Sequence, residues 1–246
     1  MPKVSGKRYW LVGASDGLGA ALAHQMSAAG AELVLSARNG EKLQEVIDAL
    51  PGPATAVTVD VGDTASVQRA AEIAGDIDGM VFLAGVYWPM PATAWDSGDA
   101  EAMADINFTG AIRVCGAVLP KMIAKGRGHV VLTGSLSGFR GLPGAIGYAA
   151  SKAGVMTLAE SMECDLRGSG IKVQLANPGF IKTRLTAKND FSMPFIMEPE
   201  EAAKIMLDFM RSDGFKRNFP TLFSWVFRGS QFLPDWAYYR LFGRPA

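Results

Sequence analysis

Charge of one sign, histidine, cysteine and long apolar runs are what this sequence has least of. Lysine plus arginine and aspartate plus glutamate each number 24. There is no basic excess of the kind a nucleic-acid binder carries, so no such partner is expected. The two cysteines, Cys115 and Cys164, stand in apolar helix-like stretches. They read as buried free thiols, not as the frame of a disulfide scaffold. Two histidines, His24 and His129, without clustered cysteine or carboxylate ligands, point to no metal site. The first apolar run, Tyr9 to Val12, is short and unlike a signal peptide. No uninterrupted stretch reaches the roughly 20 apolar residues that cross a bilayer. A cytoplasmic setting is the expectation.

Hydrophobic side chains are plentiful, at 49% of 246 residues, which is enough for a sizeable core. Short apolar runs alternate with helix-length segments. Strands are expected over Arg8 to Ala14, Glu32 to Ala37, Ala56 to Asp60, Gly79 to Ala84, His129 to Thr133 and Lys172 to Ala176. Helices are expected over Leu18 to Ala29, Gly40 to Leu50, Thr64 to Ala74, Asp99 to Ala124, Ile146 to Arg167 and Pro199 to Met210. Runs this short and apolar suit parallel strands covered on both faces. Their alternation with helices implies a doubly wound sheet. With no linker or low-complexity break, residues 1–246 read as one α/β domain, a Rossmann-like doubly wound parallel sheet with helices on both faces.

The first strand ends in Gly13-Ala14-Ser15-Asp16-Gly17-Leu18-Gly19, and a helix follows at once. Glycines there allow a tight turn and let a pyrophosphate approach the backbone, while the helix N-terminus favours the anion. The spacing is G-x-x-x-G-x-G, not the commoner G-x-G-x-x-G. At the tip of the second strand, where NAD binders place a carboxylate for the ribose 2′-hydroxyl, the sequence reads Ser36-Ala37-Arg38-Asn39. Arg38 can pair with a 2′-phosphate, which favours NADP(H) over NAD(H); the bland alternative is an ordinary surface arginine. Further on, Tyr148 and Lys152 are spaced to share one face of a helix, where an ammonium can lower the tyrosine pKa for acid–base work. Taken alone, that pair is common.

In this order and spacing, the chain from Lys7 to about Thr183 resembles the short-chain dehydrogenase/reductase family. Gly13-x-x-x-Gly17-x-Gly19, with Ser15 and Leu18 inside it, is similar to the family's cofactor turn. Asp60-Val61 matches the acidic position that holds the adenine ring. Asn107, Ser135 and Tyr148-Ala149-Ala150-Ser151-Lys152 match the catalytic set. Asn177-Pro178-Gly179, with Ile181 and Thr183, resembles the segment that binds the nicotinamide amide. There are departures. Val12 replaces a threonine, Phe82-Leu83-Ala84-Gly85 replaces Asn-Asn-Ala-Gly, and Asp16 stands where many NADP-preferring members are basic. After the last helix, the family's C-terminal strand and glycine ending give way to something different.

The resemblance implies hydride transfer between NADP(H) and an alcohol or carbonyl. Tyr148 would handle the proton, Ser135 orient the substrate oxygen, Lys152 lower the tyrosine pKa and grip the ribose, and Asn107 hold a relay water. It also implies a homodimer or homotetramer. Rivals are an idle cofactor-binding or regulatory protein of the same fold, and a same-fold isomerase, dehydratase or dehalogenase. The expected substrate surround is apolar: Val86-Tyr87-Trp88, Phe139, Leu142, and the loop 180–197 with Leu185, Phe191, Met193, Phe195, Ile196 and Met197. Lys182, Arg184 and Lys188 read as solvated, with capture of an anionic tail as the alternative. An aromatic extension spans 219–246: Phe219, Phe223, Trp225, Phe227, Phe232, Trp236, Tyr238, Tyr239 and Phe242, interrupted by Arg228, Arg240 and Arg244. It is expected to pack on its own subunit or a neighbour, or else to rest at a membrane surface.

Overall fold

The computed structural model describes residues 4–243. Strands β1 (Arg8–Val12), β2 (Glu32–Ala37), β3 (Ala54–Thr58), β4 (Gly79–Phe82), β5 (Gly128–Thr133), β6 (Ile171–Pro178) and β7 (Lys216–Phe219) form one sheet. Their order is β3-β2-β1-β4-β5-β6-β7, and all neighbours run parallel. Consecutive strand side chains point to opposite faces, so Trp10 and Val12 enter one core while Tyr9 and Leu11 enter the other. Helices α3 (Thr64–Ala74), α5 (Gly110–Lys125) and α6 (Ile146–Leu166) cover the Trp10 face. Helices α1 (Gly17–Ala28), α2 (Gly40–Asp48) and α7 (Pro199–Met210) cover the Tyr9 face. With both faces buried, the strands can be apolar throughout, which is what made them legible.

From β1 the chain winds outward to β2 and β3, then returns to lay β4 on the other side of β1. The loops leaving β1 and β4 therefore part in opposite directions, and a ligand crevice forms at such a switch point.

Four expectations need correction. The third strand lies two residues earlier than expected, at Ala54–Thr58, because Asp60 enters a turn: its Oδ1 accepts from Gly62 N at 2.9 Å. A C-terminal strand is present after all, β7 pairing with Leu175 to Pro178. Its polar Lys216-Arg217-Asn218 lacks apolar periodicity because it is an edge strand, where charge is tolerated. Helix α4 (Ser97–Ala104), a π turn over Asp105–Thr109 and α5 join into one helix, 97–125, which is long and apolar enough by length and composition to cross a membrane. Here Val114, Val118 and Met122 pack that helix into the core. Cys115 is buried as expected, but Cys164 is exposed, off the inward stripe of Val155, Ala159 and Met162 on α6.

Beyond α7 and β7, helices α8 (Thr221–Ser230) and α9 (Asp235–Phe242) form a hairpin against the same domain. Arg244 lies outside the described residues.

Candidate active site

Gly13 ends β1 with φ +98°, and a Cβ there would sit 2.4 Å from the Ala84 nitrogen beyond β4. Glycine alone satisfies both the conformation and the approach. A Cβ on Gly19 would lie 2.1 Å from the Gly13 carbonyl oxygen, so its absence lets α1 start directly against the end of β1. Asp16 caps α1, its Oδ1 accepting from Gly17 N at 2.7 Å. The remaining N–H groups of the first turn have no helical acceptor. Leu18 and Gly19 carry two of them to the wall of a cleft of about 980 Å³.

Strand order arranges this cleft. It passes the ends of β3 (Asp60, Val61), β2 (Arg38), β1 (Gly13, Ser15, Gly17, Leu18, Gly19) and β4 (Ala84, Gly85). It continues past β5 (Thr133) and β6 (Pro178, Gly179, Ile181, Thr183) to Tyr148 and Lys152 on α6. The residues read from the sequence as cofactor contacts are thus brought onto one wall. Asn107 and Ser135 stand just behind it, 0% and 7% exposed.

Lys152 is buried, and its Nζ donates to the Thr133 carbonyl at 2.9 Å; burial lowers its pKa to about 8. Tyr148 is pushed up to about 12, chiefly by burial. The Ser135 hydroxyl opposes this rise, and Tyr87, whose ring meets Tyr148 edge-on at 5.1 Å, adds to it. Lys152 does not outweigh this desolvation. Its ammonium lies 5.8 Å from the ring centroid and is committed to Thr133, so desolvation prevails.

Ser135 opens a tight turn after β5, with its Oγ 2.7 Å from Ser137 Oγ. Asn107 sits in the π turn, a feature common at functional sites. Its Nδ2 donates to the Val86 carbonyl and to Ser151 Oγ, both at 3.0 Å, and its Oδ1 accepts from Val86 N at 2.7 Å. The side chain is thus occupied in pinning the backbone beside Gly85. A Cβ on Gly85 would lie 3.4 Å from Asn107 Oδ1 and 3.7 Å from Lys152 Nζ, so glycine keeps this corner open.

The sequence reading missed Thr133, Ser137 and Ser151 as partners, and Lys42, which lines the cleft close to Arg38. Lys42 left a signal: it is a cation in the first turn of α2, where the helix dipole disfavours positive charge.

The loop 180–197 closes one side. Its cations are solvent-exposed, as expected, and each also has a protein partner. Arg184 pairs with Asp16, Lys182 with Glu198 at 2.9 Å, and Lys188 donates to the Tyr87 carbonyl at 2.7 Å while lying 4.4 Å from the Trp88 ring centroid. Met197 is not at the substrate side but buried, its carbonyl accepting from Lys182 N at 2.9 Å. Phe139 packs against the core, and Phe219 is buried at the end of β7. The extension packs on its own chain: Phe223 of α8 meets Phe180 at 5.8 Å and Phe195 at 5.5 Å.

A family profile described as short chain dehydrogenase matches residues 7–192. An uncharacterized oxidoreductase of Myxococcus xanthus is 38% identical over 215 residues, 84% of each chain. Two solved structures share the fold at 22% identity. A short chain dehydrogenase from Burkholderia cenocepacia in complex with NADP has a TM-score of 0.87, covering 99% of this chain and 100% of that one. A short chain dehydrogenase/reductase from Burkholderia phymatum in complex with NAD has a TM-score of 0.86, covering 93% and 94%. The chain belongs to the short-chain dehydrogenase/reductase family and is an oxidoreductase of that family.

Proposed function

We propose that this oxidoreductase transfers a hydride between NADP(H) and an apolar ketone or secondary alcohol, with Tyr148 moving the proton at the substrate oxygen. The observation that carries the reading is one continuous cleft with Arg38 and the glycine turn toward one side and Tyr148 and Lys152 at the other. A dinucleotide fits these residues. The glycine turn presents backbone rather than Cβ atoms, and Leu18 and Gly19 offer first-turn N–H groups to a pyrophosphate. Arg38 is exposed and lines the cleft, as Lys42 does. Asp16, the acidic departure, already has its charge matched by Arg184. Bound there, the nicotinamide would supply or accept the hydride.

Tyr148, protonated at neutral pH, donates to a carbonyl oxygen that Ser135 also hydrogen-bonds. Lys152 is still charged below its depressed pKa of about 8; it favours the phenolate that forms and would hold the ribose hydroxyls of the bound cofactor. Asn107 holds Val86 and with it the floor of the site. Val86, Tyr87, Trp88, Leu142, Leu185 and Phe191 give the substrate side its apolar character, with the loop 180–197 acting as a lid. A homodimer or homotetramer belongs to this reading, supported by exposed Ile73, Ile112 and Ile123 on the adjoining helices α3 and α5.

The test is a panel of ketones and alcohols with NADPH, NADH and their oxidised forms. Tyr148→Phe should lower kcat by about a hundred- to ten-thousandfold while leaving the NADPH Kd unchanged. Arg38→Ala should erase a preference for NADPH. Retained turnover in Tyr148→Phe would sink the mechanism, and a preference for NADH in the unaltered protein would sink the role of Arg38. Tight NADPH binding with no turnover across the panel would favour the idle cofactor-binding alternative.

A further inference from the structure

We infer that the outer face of the C-terminal hairpin docks on a bilayer carrying anionic lipid. On α8, Leu222, Trp225 and Val226 follow at helical spacing and are 76%, 58% and 49% exposed, while Ser224 and Ser230 turn inward. Phe232, in the connection, is 88% exposed, and Trp236, Tyr239 and Leu241 of α9 are exposed as well. Isolated apolar side chains on a surface need no explanation, but a concentration of this kind does.

These side chains are held outward by a firmly attached element. Arg140, from the segment after Ser135, donates to the carbonyls of Ser230 at 2.6 Å and Leu233 at 2.8 Å, and to Asp235 at 2.6 Å. Its guanidinium lies 3.9 Å from the Tyr238 ring centroid, and the Tyr238 hydroxyl donates to the Gly141 carbonyl at 2.6 Å.

Charge and residue type select the occupant. Asp235 is the only acidic residue in 221–243, and Arg140 already neutralises it. Arg228 and Arg240 remain exposed, with the Arg228 guanidinium 4.6 Å from the Trp225 ring centroid. Tryptophan, tyrosine and leucine interleaved with arginine and no free carboxylate match the headgroup region of an anionic bilayer. A symmetric second copy would instead offer these arginines only Asp235, already paired with Arg140, as a carboxylate. Helices of 10 and 8 residues are too short to span, so the hairpin lies on the surface. The face continues into the loop 180–197 through Phe195, 58% exposed and tilted against Phe223 at 5.5 Å. Delivery of an apolar substrate from the bilayer through that loop rests on the proposed function; the docking does not.

The experiment is flotation of the full chain with phosphatidylcholine vesicles, with and without phosphatidylglycerol. The protein should float with the anionic vesicles and far less with the neutral ones. Leu222→Glu combined with Trp225→Glu should abolish flotation while circular dichroism and NADPH binding stay unchanged. Arg228→Gln combined with Arg240→Gln should weaken partitioning about thirtyfold at low salt. Failure to float with either vesicle overturns the proposal, as does a concentration-dependent dimer that Leu222→Glu dissolves. Flotation needs no turnover, so its failure leaves the oxidoreductase reading standing.

Discussion

Lys152 keeps its charge in surroundings that oppose it. Its buried ammonium has one protein acceptor, the Thr133 carbonyl, and burial brings its pKa to about 8. In the proposed mechanism, the charge that favours the Tyr148 phenolate is therefore lost as pH rises through that value. Carbonyl reduction should fall above pH 8. Arginine remains charged throughout, so Lys152→Arg should be slower overall but should move this alkaline limb upward. A limb that stays near pH 8 in that variant would assign it to another group. At the opposite end of β5, His129 is a structural residue. Gln174 Nε2 donates its two hydrogens to the carbonyls of Phe209 and Gly214, at 3.0 and 2.7 Å, which leaves Oε1 to accept from His129 Nε2 at 2.8 Å. Nδ1 then has no proton and accepts from the Tyr9 hydroxyl, also at 2.8 Å. Burial lowers the His129 pKa from 6.5 to about 4. The folded-state pKa is depressed, so the unfolded chain takes up the proton first. The resulting stability is present above pH 6.5 and lost as pH falls toward 4. Urea unfolding at pH 4.5 should show about 2 kcal/mol less stability than at pH 7, and His129→Phe should lack most of that difference.

Among the elements, the C-terminal hairpin draws most of its polar attachment from one side chain, beside the Tyr238–Gly141 bond and the packing of Phe223 on Phe180. Arg140 carries hydrogen bonds to three different residues of the hairpin and stacks on a fourth, Tyr238. Charge-assisted hydrogen bonds of this kind each contribute about 1.5–3 kcal/mol. Arg140→Ala should therefore release the hairpin, seen as faster proteolysis in the 231–235 connection and a loss of about 2–4 kcal/mol in chemical denaturation. A lysine cannot reproduce the planar fork, so Arg140→Lys should recover little. Full recovery in that variant would show that charge alone suffices. The clamp was not legible in the sequence, because its partners lie 90 or more residues away and nothing local marks Arg140. Separation along the chain, shorter in one case and longer in the other, likewise hid the pairing of Asn107 with Val86 and of Arg184 with Asp16. The glycine turn and the Tyr148–Lys152 pair could be read because their geometry is set within one or two turns of chain. β7 escaped because an edge strand need not be apolar.

At the scale of the molecule, the sheet order lines up the cleft. Residues separated by most of the chain, Arg38 and Thr183 among them, meet because parallel strands put all their C-terminal ends on one side. The alternation of apolar runs and helices was enough to foresee that arrangement. It could not foresee the third strand's early end, which depends on Asp60 closing its own turn. The π turn at Asp105–Thr109 bears on the whole molecule in another way. The Gly110 N–H bonds to the Asp105 carbonyl, five residues back instead of four. A helix turns by about 100° per residue, so this extra residue sets the rotational phase between α4 and α5. Deleting any one residue of the turn would swing one half by that angle. Either Asn107 would leave Val86, or Val114 and Met122 would leave the core. No substitution could restore both, so the number of residues here is as constrained as their identity.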